Sequence, residues 1–394
     1  MSKQSTLALL AIVTGLTALL APKDAQAYPE FIGYGYTSCI TCHYNPQGHG
    51  PLNDYGRAVW ASEFAARPFY KKETTDDEIA ETSGFLFGLP MPWYLHPGFK
   101  YRGLWYKTDP GSTNYRERYI HMQGEASLAV HFDQKQRFVF VGTLGILTKN
   151  QGQPTEERLW VSRDHYLRSQ VTRTLWVNAG KFDKIFGLRL VDHTAFARKA
   201  PKLHQYYQPG DSATHGVALH WGDPDYEIAG HYFLGDMNEE AANRQKGFSF
   251  MTEYSLGEKA RVGVSYLNQA TEAAKQSIYA LHSRVGVGEG AAILAEVGMH
   301  QDELNVAPEP TKGLYGYLQT NVPIVRGYNF YTQAEYYKLQ KDTASESFKY
   351  GVGLLVWPIQ KVEYRLLASD TRSWSPTQGT KDNWVLQAQL HLSL

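Results

Sequence analysis

From about residue 98 to residue 394 the chain breaks into sixteen short segments whose side chains alternate in character. They lie near 98–108, 119–132, 136–149, 158–172, 174–182, 213–222, 226–235, 247–256, 260–269, 276–288, 291–302, 314–326, 328–340, 348–358, 361–372 and 384–394. A period of two marks a strand with unlike faces. In 247–256, Phe248, Phe250, Thr252, Tyr254 and Leu256 share one face and Ser249, Met251, Glu253 and Ser255 the other. In 361–372, Val362, Tyr364, Leu366 and Ala368 oppose Glu363, Arg365, Leu367 and Ser369. In 384–394, Leu386, Ala388, Leu390, Leu392 and Leu394 oppose Gln387, Gln389, His391 and Ser393. Each segment is near the ~9–11 residues that a tilted strand needs to cross a bilayer. One face suits lipid and the other a polar lumen. Segment 136–149 is too apolar on both faces to orient.

The joins carry a second rhythm. Those after even-numbered segments are short, as at Asp133 to Lys135, Gly222 to Asp225, Gly257 to Lys259 and Glu289-Gly290. Those after odd-numbered segments are generally longer, at 109–118, 150–157, 183–212, 236–246, 303–313 and 373–383. Short periplasmic turns alternating with long external loops are the habit of outer-membrane barrels. A soluble sandwich or propeller has turns too, but no reason for that alternation. The expectation is an all-β, transmembrane outer-membrane β-barrel over 98–394, with about 16 antiparallel strands (roughly 14–18). An even count returns both termini to the periplasmic side.

Composition agrees. Lys plus Arg total 39 and Asp plus Glu total 39, so the net charge is zero and no basic footprint for nucleic acid is present. The chain holds 27 Tyr, 17 Phe, 9 Trp and 35 Gly, and its mean hydropathy is −0.42. Alternating strands give such a polar average even when one face is greasy. Trp384 and Tyr364 suit the interfacial aromatic girdle.

The first 97 residues differ. Residues 1–27 have Lys3, an apolar run from Leu7 to Ala21 and the small-residue stretch Ala25-Gln26-Ala27. This pattern is expected of a signal peptide removed before Tyr28. Behind it, residues 39–43 read Cys39-Ile40-Thr41-Cys42-His43, and these two are the chain's only cysteines. C-x-x-C-H is a c-type haem attachment signature. The thiols add across the porphyrin vinyl groups and the imidazole becomes the proximal axial ligand. A C-x-x-C pair also occurs as a redox dithiol, a disulfide or half a zinc site. Zinc needs about four ligands, and a dithiol does not require the following His. Residues 28–70 are therefore expected to be a small loop-and-helix monohaem segment. Within it, 51–66 is expected to be helical with Leu52, Tyr55, Val59 and Phe64 as an apolar stripe. Residues 71–97, charged at first and then broken by Pro90, Pro92 and Pro97, are expected to be a linker.

An export signal, one C-x-x-C-H close behind it and a single porin-like barrel together resemble the fused monohaem cytochrome–porins of iron-oxidising bacteria. The stretch Pro51-Leu52-Asn53-Asp54-Tyr55-Gly56-Arg57 is similar to that family's short Leu-Asn and Gly-Arg pattern after the haem His. Motif-level similarity covers about residues 28–60; the barrel matches in kind only. The resemblance implies one covalent haem c, an outer-membrane location and electron transfer across that membrane. It implies an extracellular electron donor or acceptor, Fe(II) foremost, and a periplasmic cytochrome-like carrier as partners. Arg57 falls in the matching pattern and is a candidate haem contact. The longer insert from Tyr44 to Gly50 departs from the family and leaves the substrate open.

For the second axial position His49 is the first candidate, close in sequence and flanked by Gly48 and Gly50; Met91, His96, His121 and Met122 are others. By parity Glu253, Glu296, Glu335, Glu363, Arg261, Arg284, Arg365, His220, His231, His282 and His300 face the lumen. They form either an ordinary porin wall network or a carboxylate/His path for Fe²⁺ or protons. The long loop 183–212, with Asp192, His193, His204 and Asp211, is a candidate for folding into the lumen. A single haem does not span a ~30 Å hydrocarbon core, so a conduit places it inside the barrel. Two other functions fit the same sequence: a passive diffusion porin with a haem-bearing periplasmic or sensor segment, and a barrel-anchored haem peroxidase or reductase.

Overall fold

The computed structural model describes residues 29–45, 48, 50–109, 111, 113, 115–146, 160–190, 195, 213–306, 309–340, 345–377 and 379–394. The expected signal segment 1–27, His49, and Asp192, His193, His204 and Asp211 lie outside the described residues.

The strands run β1 (Leu95–Thr108), β2 (Arg116–His131), β3 (Phe138–Ile146), β4 (Trp160–Val161), β5 (His165–Gln170), β6 (Leu175–Asp183), β7 (Ala213–Gly222), β8 (Tyr226–Gly235) and β9 (Lys246–Ser255). They continue as β10 (Ala260–Ala270), β11 (Ala274–Val287), β12 (Ala291–Leu304), β13 (Thr311–Val325), β14 (Tyr328–Gln340), β15 (Glu346–Ile359), β16 (Val362–Ser375) and β17 (Gly379–Ser393). Sequential neighbours pair antiparallel, and β1 pairs with both β2 and β17. The sheet is therefore a closed barrel with no edge to protect. β4 and β5 both pair antiparallel with β3, so they are two pieces of one stave interrupted at 162–164. Counted that way the seventeen strands make sixteen staves, β4 being the extra short piece. Only an even number of staves lets β1 meet β17 antiparallel, from Lys100↔Ser393 to Thr108↔Val385.

All sixteen expected segments appear. Ser249, Met251 and Glu253 are buried while Phe248, Phe250, Tyr254 and Leu256 are exposed. Glu363, Arg365, Leu367 and Ser369 are buried against exposed Tyr364 and Leu366. The segment that could not be oriented resolves cleanly, with Val139, Val141 and Thr143 inside and Phe138, Phe140, Leu144 and Ile146 outside. Exposed Leu, Val, Phe and Tyr thus form the outer wall and polar or small groups the inner one, the reverse of a water-soluble fold. No helix among the described residues is long and apolar enough to cross a membrane.

Several long joins are shorter than expected, two of them by about half or more. The strands run on to leave only 305–310 between β12 and β13 and 376–378 between β16 and β17. Lys381, Asp382 and Asn383 read as loop because both faces are polar, yet a hairpin wetted on both sides beyond the bilayer can still pair. Arg372 closes on Asp382 there at 2.7 Å.

The lumen is filled from two directions. After β6 the chain turns inward, and Lys184, Ile185, Phe186, Leu188 and Ala195 are buried. The Leu188 amide donates to Glu296 Oε2 (2.5 Å) and the Gly187 amide to Ser265 Oγ (2.9 Å). Gly187 has φ +53°, and a Cβ there would fall 2.4 Å from the same Glu296 carboxylate. So the described start of the long loop does enter the barrel. From the other end comes the N-terminal segment.

Candidate functional site

Residues 29–94 fold into the mouth ringed by the short turns. Four consecutive turns hold them. Lys259 Nζ donates to Gly33 O (2.9 Å) and the Gly290 amide to the same oxygen (3.0 Å). Arg326 Nε donates to Ala65 O (2.9 Å). Gln360 Nε2 donates to Tyr70 Oη (2.8 Å) and Thr82 Oγ1 (2.7 Å), and Lys361 Nζ to Ser83 O (3.0 Å). Trp60 packs edge-on against Trp357 of β15 at 5.3 Å. Within 71–97 a six-residue helix, Asp76–Glu81, starts at a capping box between Thr75 and Glu78 and buries Ile79 completely.

The C-x-x-C-H stretch begins in a short 3-10 turn, Cys39–Thr41. The His43 and Cys42 amides both donate to Cys39 O, at 3.0 and 3.2 Å. This winds Cys39, Cys42 and His43 onto one turn of chain, the compactness the signature requires. His43 then bridges to Leu52, and the Asn53 amide donates to Cys42 O (2.9 Å).

Asn53 ties the turn to the next element. Its Nδ2 donates to Thr41 O (3.0 Å), and its Oδ1 accepts from the Gly56 amide (2.8 Å), capping the helix Asp54–Val59. Gly56 lies against the signature itself: a Cβ would come 2.4 Å from Cys42 O and 2.9 Å from Cys42 Cα. The Leu-Asn and Gly-Arg stretch therefore has a mechanical meaning, a strap that presses on the thiol-bearing turn. Arg57 of that stretch donates from Nη2 to Pro97 O at 3.4 Å.

The expected helix 51–66 is two pieces, the α-helix Asp54–Val59 and a wider π-turn, Trp60–Phe64. The widening breaks the stripe. Val59 and Phe64 are buried with Phe31, Tyr55 is half exposed, and Leu52 turns to the lumen.

Both cysteines, His43, Leu52, Arg57 and Trp60 line one cavity between this segment and the inner faces of β1, β2, β16 and β17. It has about 1670 Å³ of atom-free space, part of it open to solvent. Cations dominate its wall: Arg57, Lys100, Arg102, Arg163, Arg284 and Lys361 line it against Glu125 and Glu363. Lys100 Nζ also donates to Gly50 O (2.5 Å), fixing the loop after His43.

Cys39 faces the cavity and Cys42 is buried, and the two are not joined to each other. Burial pushes the Cys39 thiol up to about 11 and the Cys42 thiol up to about 12. A catalytic dithiol needs the opposite, a thiol made acidic. Among the described residues no three His, Cys, Asp or Glu side chains converge as a metal site. The residues present fit a haem c: two thiols and an imidazole on one turn, an adjoining cavity, and cations suited to propionates.

The parity-assigned lumen groups are all inside. Glu253 meets His282 Nε2 (3.1 Å), Arg261 Nη1 (3.7 Å) and Arg284; Arg261 also reaches Glu227 (2.9 Å), which meets His220 (3.3 Å). Arg284 belongs at once to this network and to the cavity wall, and its Nη2 donates to Thr37 O (3.1 Å). Of the other candidate axial groups, His96 faces Asp54 (3.0 Å) and Trp93 O (2.8 Å) and stacks on His131. His121 is exposed and bonded to Tyr101 Oη (2.7 Å), and Met91 is exposed.

No protein-family profile matches this chain, and no curated protein matches it. Solved structures do. OmpT of Vibrio cholerae, expressed in the outer membrane, gives a TM-score of 0.59 at 9% identity, covering 78% of this chain and 99% of its own. OprB of Pseudomonas putida gives 0.55 at 8% identity, covering 77% and 94%. The anion-selective porin from Comamonas acidovorans gives 0.54 at 8% identity, covering 76% and 99%. The likeness is one of fold: this chain is a barrel of the outer-membrane porin type.

Proposed function

We propose that this protein is an outer-membrane electron conduit, a porin-type barrel whose lumen holds one haem c on Cys39, Cys42 and His43. The observation that carries the proposal is the position of the chain's only two cysteines. They lie with His43 inside the short-turn mouth, on a cavity walled by barrel strands. The bound haem supplies a reversible one-electron couple. The chain's residues do the rest. Asn53 and Gly56 set the pitch of the attaching turn, the cationic wall would receive propionates, and the segments 29–94 and 184–190 partly fill the lumen. With the short turns on the periplasmic side, a periplasmic cytochrome meets the 29–94 face. An external donor such as Fe²⁺ approaches from the loop side. Each turnover removes one electron from Fe²⁺ and gives one to the carrier.

The test is reconstitution in liposomes containing a trapped periplasmic-type cytochrome, with Fe²⁺ added outside. Reduction of the trapped carrier that is lost in Cys42→Ala supports the conduit. Carrier left oxidised, together with free passage of small solutes, would favour a diffusion porin instead.

A further inference from the structure

We infer that His391, on the last barrel strand, supplies the second axial ligand of the haem held by Cys39, Cys42 and His43. The inference rests on the haem reading above and extends it to the barrel wall.

His and Met are the usual side chains opposite a proximal His. Among the described residues lining the cavity there is no Met, and His391 is the one histidine besides His43. Lysine is the remaining common nitrogen donor, and both cavity lysines are engaged. Lys100 Nζ binds Gly50 O at 2.5 Å, and Lys361 Nζ binds Ser83 O at 3.0 Å. His96, His131 and His121 do not line the cavity.

The two ring nitrogens of His391 differ in a telling way. Nδ1 faces Glu363 Oε2 at 3.5 Å, across the β16–β17 pair in which Glu363 stands directly opposite His391. Nε2 is buried and has no hydrogen-bond partner. A carboxylate behind one nitrogen, with the other left bare, is how metal-bound imidazoles are usually held: Nδ1–H donates to the carboxylate, which fixes the tautomer that presents the Nε2 lone pair. A buried imidazole nitrogen with nothing to bind otherwise demands an explanation. The His391 side chain is only 12% exposed. With the iron between them, His43 and His391 would join the N-terminal segment to the wall that closes the barrel, β17 against β1.

The experiment compares wild type, His391→Gly and His49→Ala, each extracted folded from outer membranes. Covalent haem is measured by the pyridine haemochrome and spin state by absorption and electron paramagnetic resonance. Wild type and His49→Ala should be low-spin and six-coordinate. His391→Gly should keep its covalent haem and become high-spin. Millimolar imidazole should return it to low spin, and dialysis should reverse that, which a merely misfolded variant would not do. A low-spin His391→Gly without imidazole, a high-spin wild type, or a high-spin His49→Ala would each overturn the assignment while leaving the haem in place. Absence of covalent haem from wild type would overturn the haem reading and this inference with it.

Discussion

Asn53→Ala should loosen the thiol-bearing turn without touching the barrel. Two bonds go. The Oδ1 cap on the Gly56 amide is worth about 1 kcal/mol. The Nδ2 bond to Thr41 O is worth about another 1 kcal/mol. At roughly 1.4 kcal/mol per decade, a 2 kcal/mol loss raises local opening about 30-fold. Hydrogen exchange followed by mass spectrometry reads this directly on peptides covering Asp54–Val59. Asn53→Ser keeps a capping oxygen and loses only the bond to Thr41, so it should speed exchange about fivefold. Peptides from β10 to β15 should be unchanged in both variants, because the opening is local. Exchange in Asn53→Ala as slow as in wild type would refute the strap, and with it the physical meaning given to the Leu-Asn stretch.

Other perturbations separate the remaining parts. Gly187→Ala forces a left-handed backbone on a residue with a side chain, a cost of about 1–2 kcal/mol, and pushes on Glu296. Exchange at the 187 and 188 amides should rise by tenfold or so; unchanged exchange would mean the inward loop is not seated there. Val297→Arg places a charge on an exposed apolar position of β12. It should cost up to about 2–4 kcal/mol of barrel stability in lipid by denaturant titration, and an equal midpoint would contradict the lipid-facing wall. In haem-free chain refolded in detergent, the Cys39 thiol titrates near 11 rather than 9, so alkylation at pH 8 should be about 100-fold slower than for a free thiol. Folding holds these protons more tightly, so the haem-free fold keeps this contribution below pH 9 and loses stability as pH rises from 9 towards 11 and 12.

Much of this architecture was legible in the sequence, and for one reason. Lipid outside and polar groups inside impose a two-residue period on each strand, so Phe248 to Leu256 and Val362 to Ser369 could be assigned face by face. Val139 and Val141 could not, because small apolar side chains serve the interior as well as the exterior where a packed segment fills the lumen. There they meet Tyr44, Tyr166, Phe182 and Ile185 in one cluster. Hairpin lengths were misjudged at Lys381 to Asn383 because polarity there reflects water on both faces, not a lack of pairing. At the candidate site, Cys39, Cys42 and His43 stand out in the sequence because the proposed attachment chemistry would require their spacing. The long-range partners were not. Nothing local in Gln389-Leu390-His391 marks the imidazole that shares a cavity with Cys39, since only barrel closure brings the chain's last strand beside its first. The parity rule placed His391 on the inner face, and that was the one signal available.

The central claim is that this barrel carries a haem bonded to its own cysteines, and one measurement tests it most directly. Outer-membrane protein purified from cells able to attach c-type haem is weighed intact and its absorption recorded. The account predicts a mature chain heavier by one haem, with a Soret band that survives denaturation and vanishes in the Cys39→Ala, Cys42→Ala double variant. A chain of bare polypeptide mass with no visible absorption would contradict it.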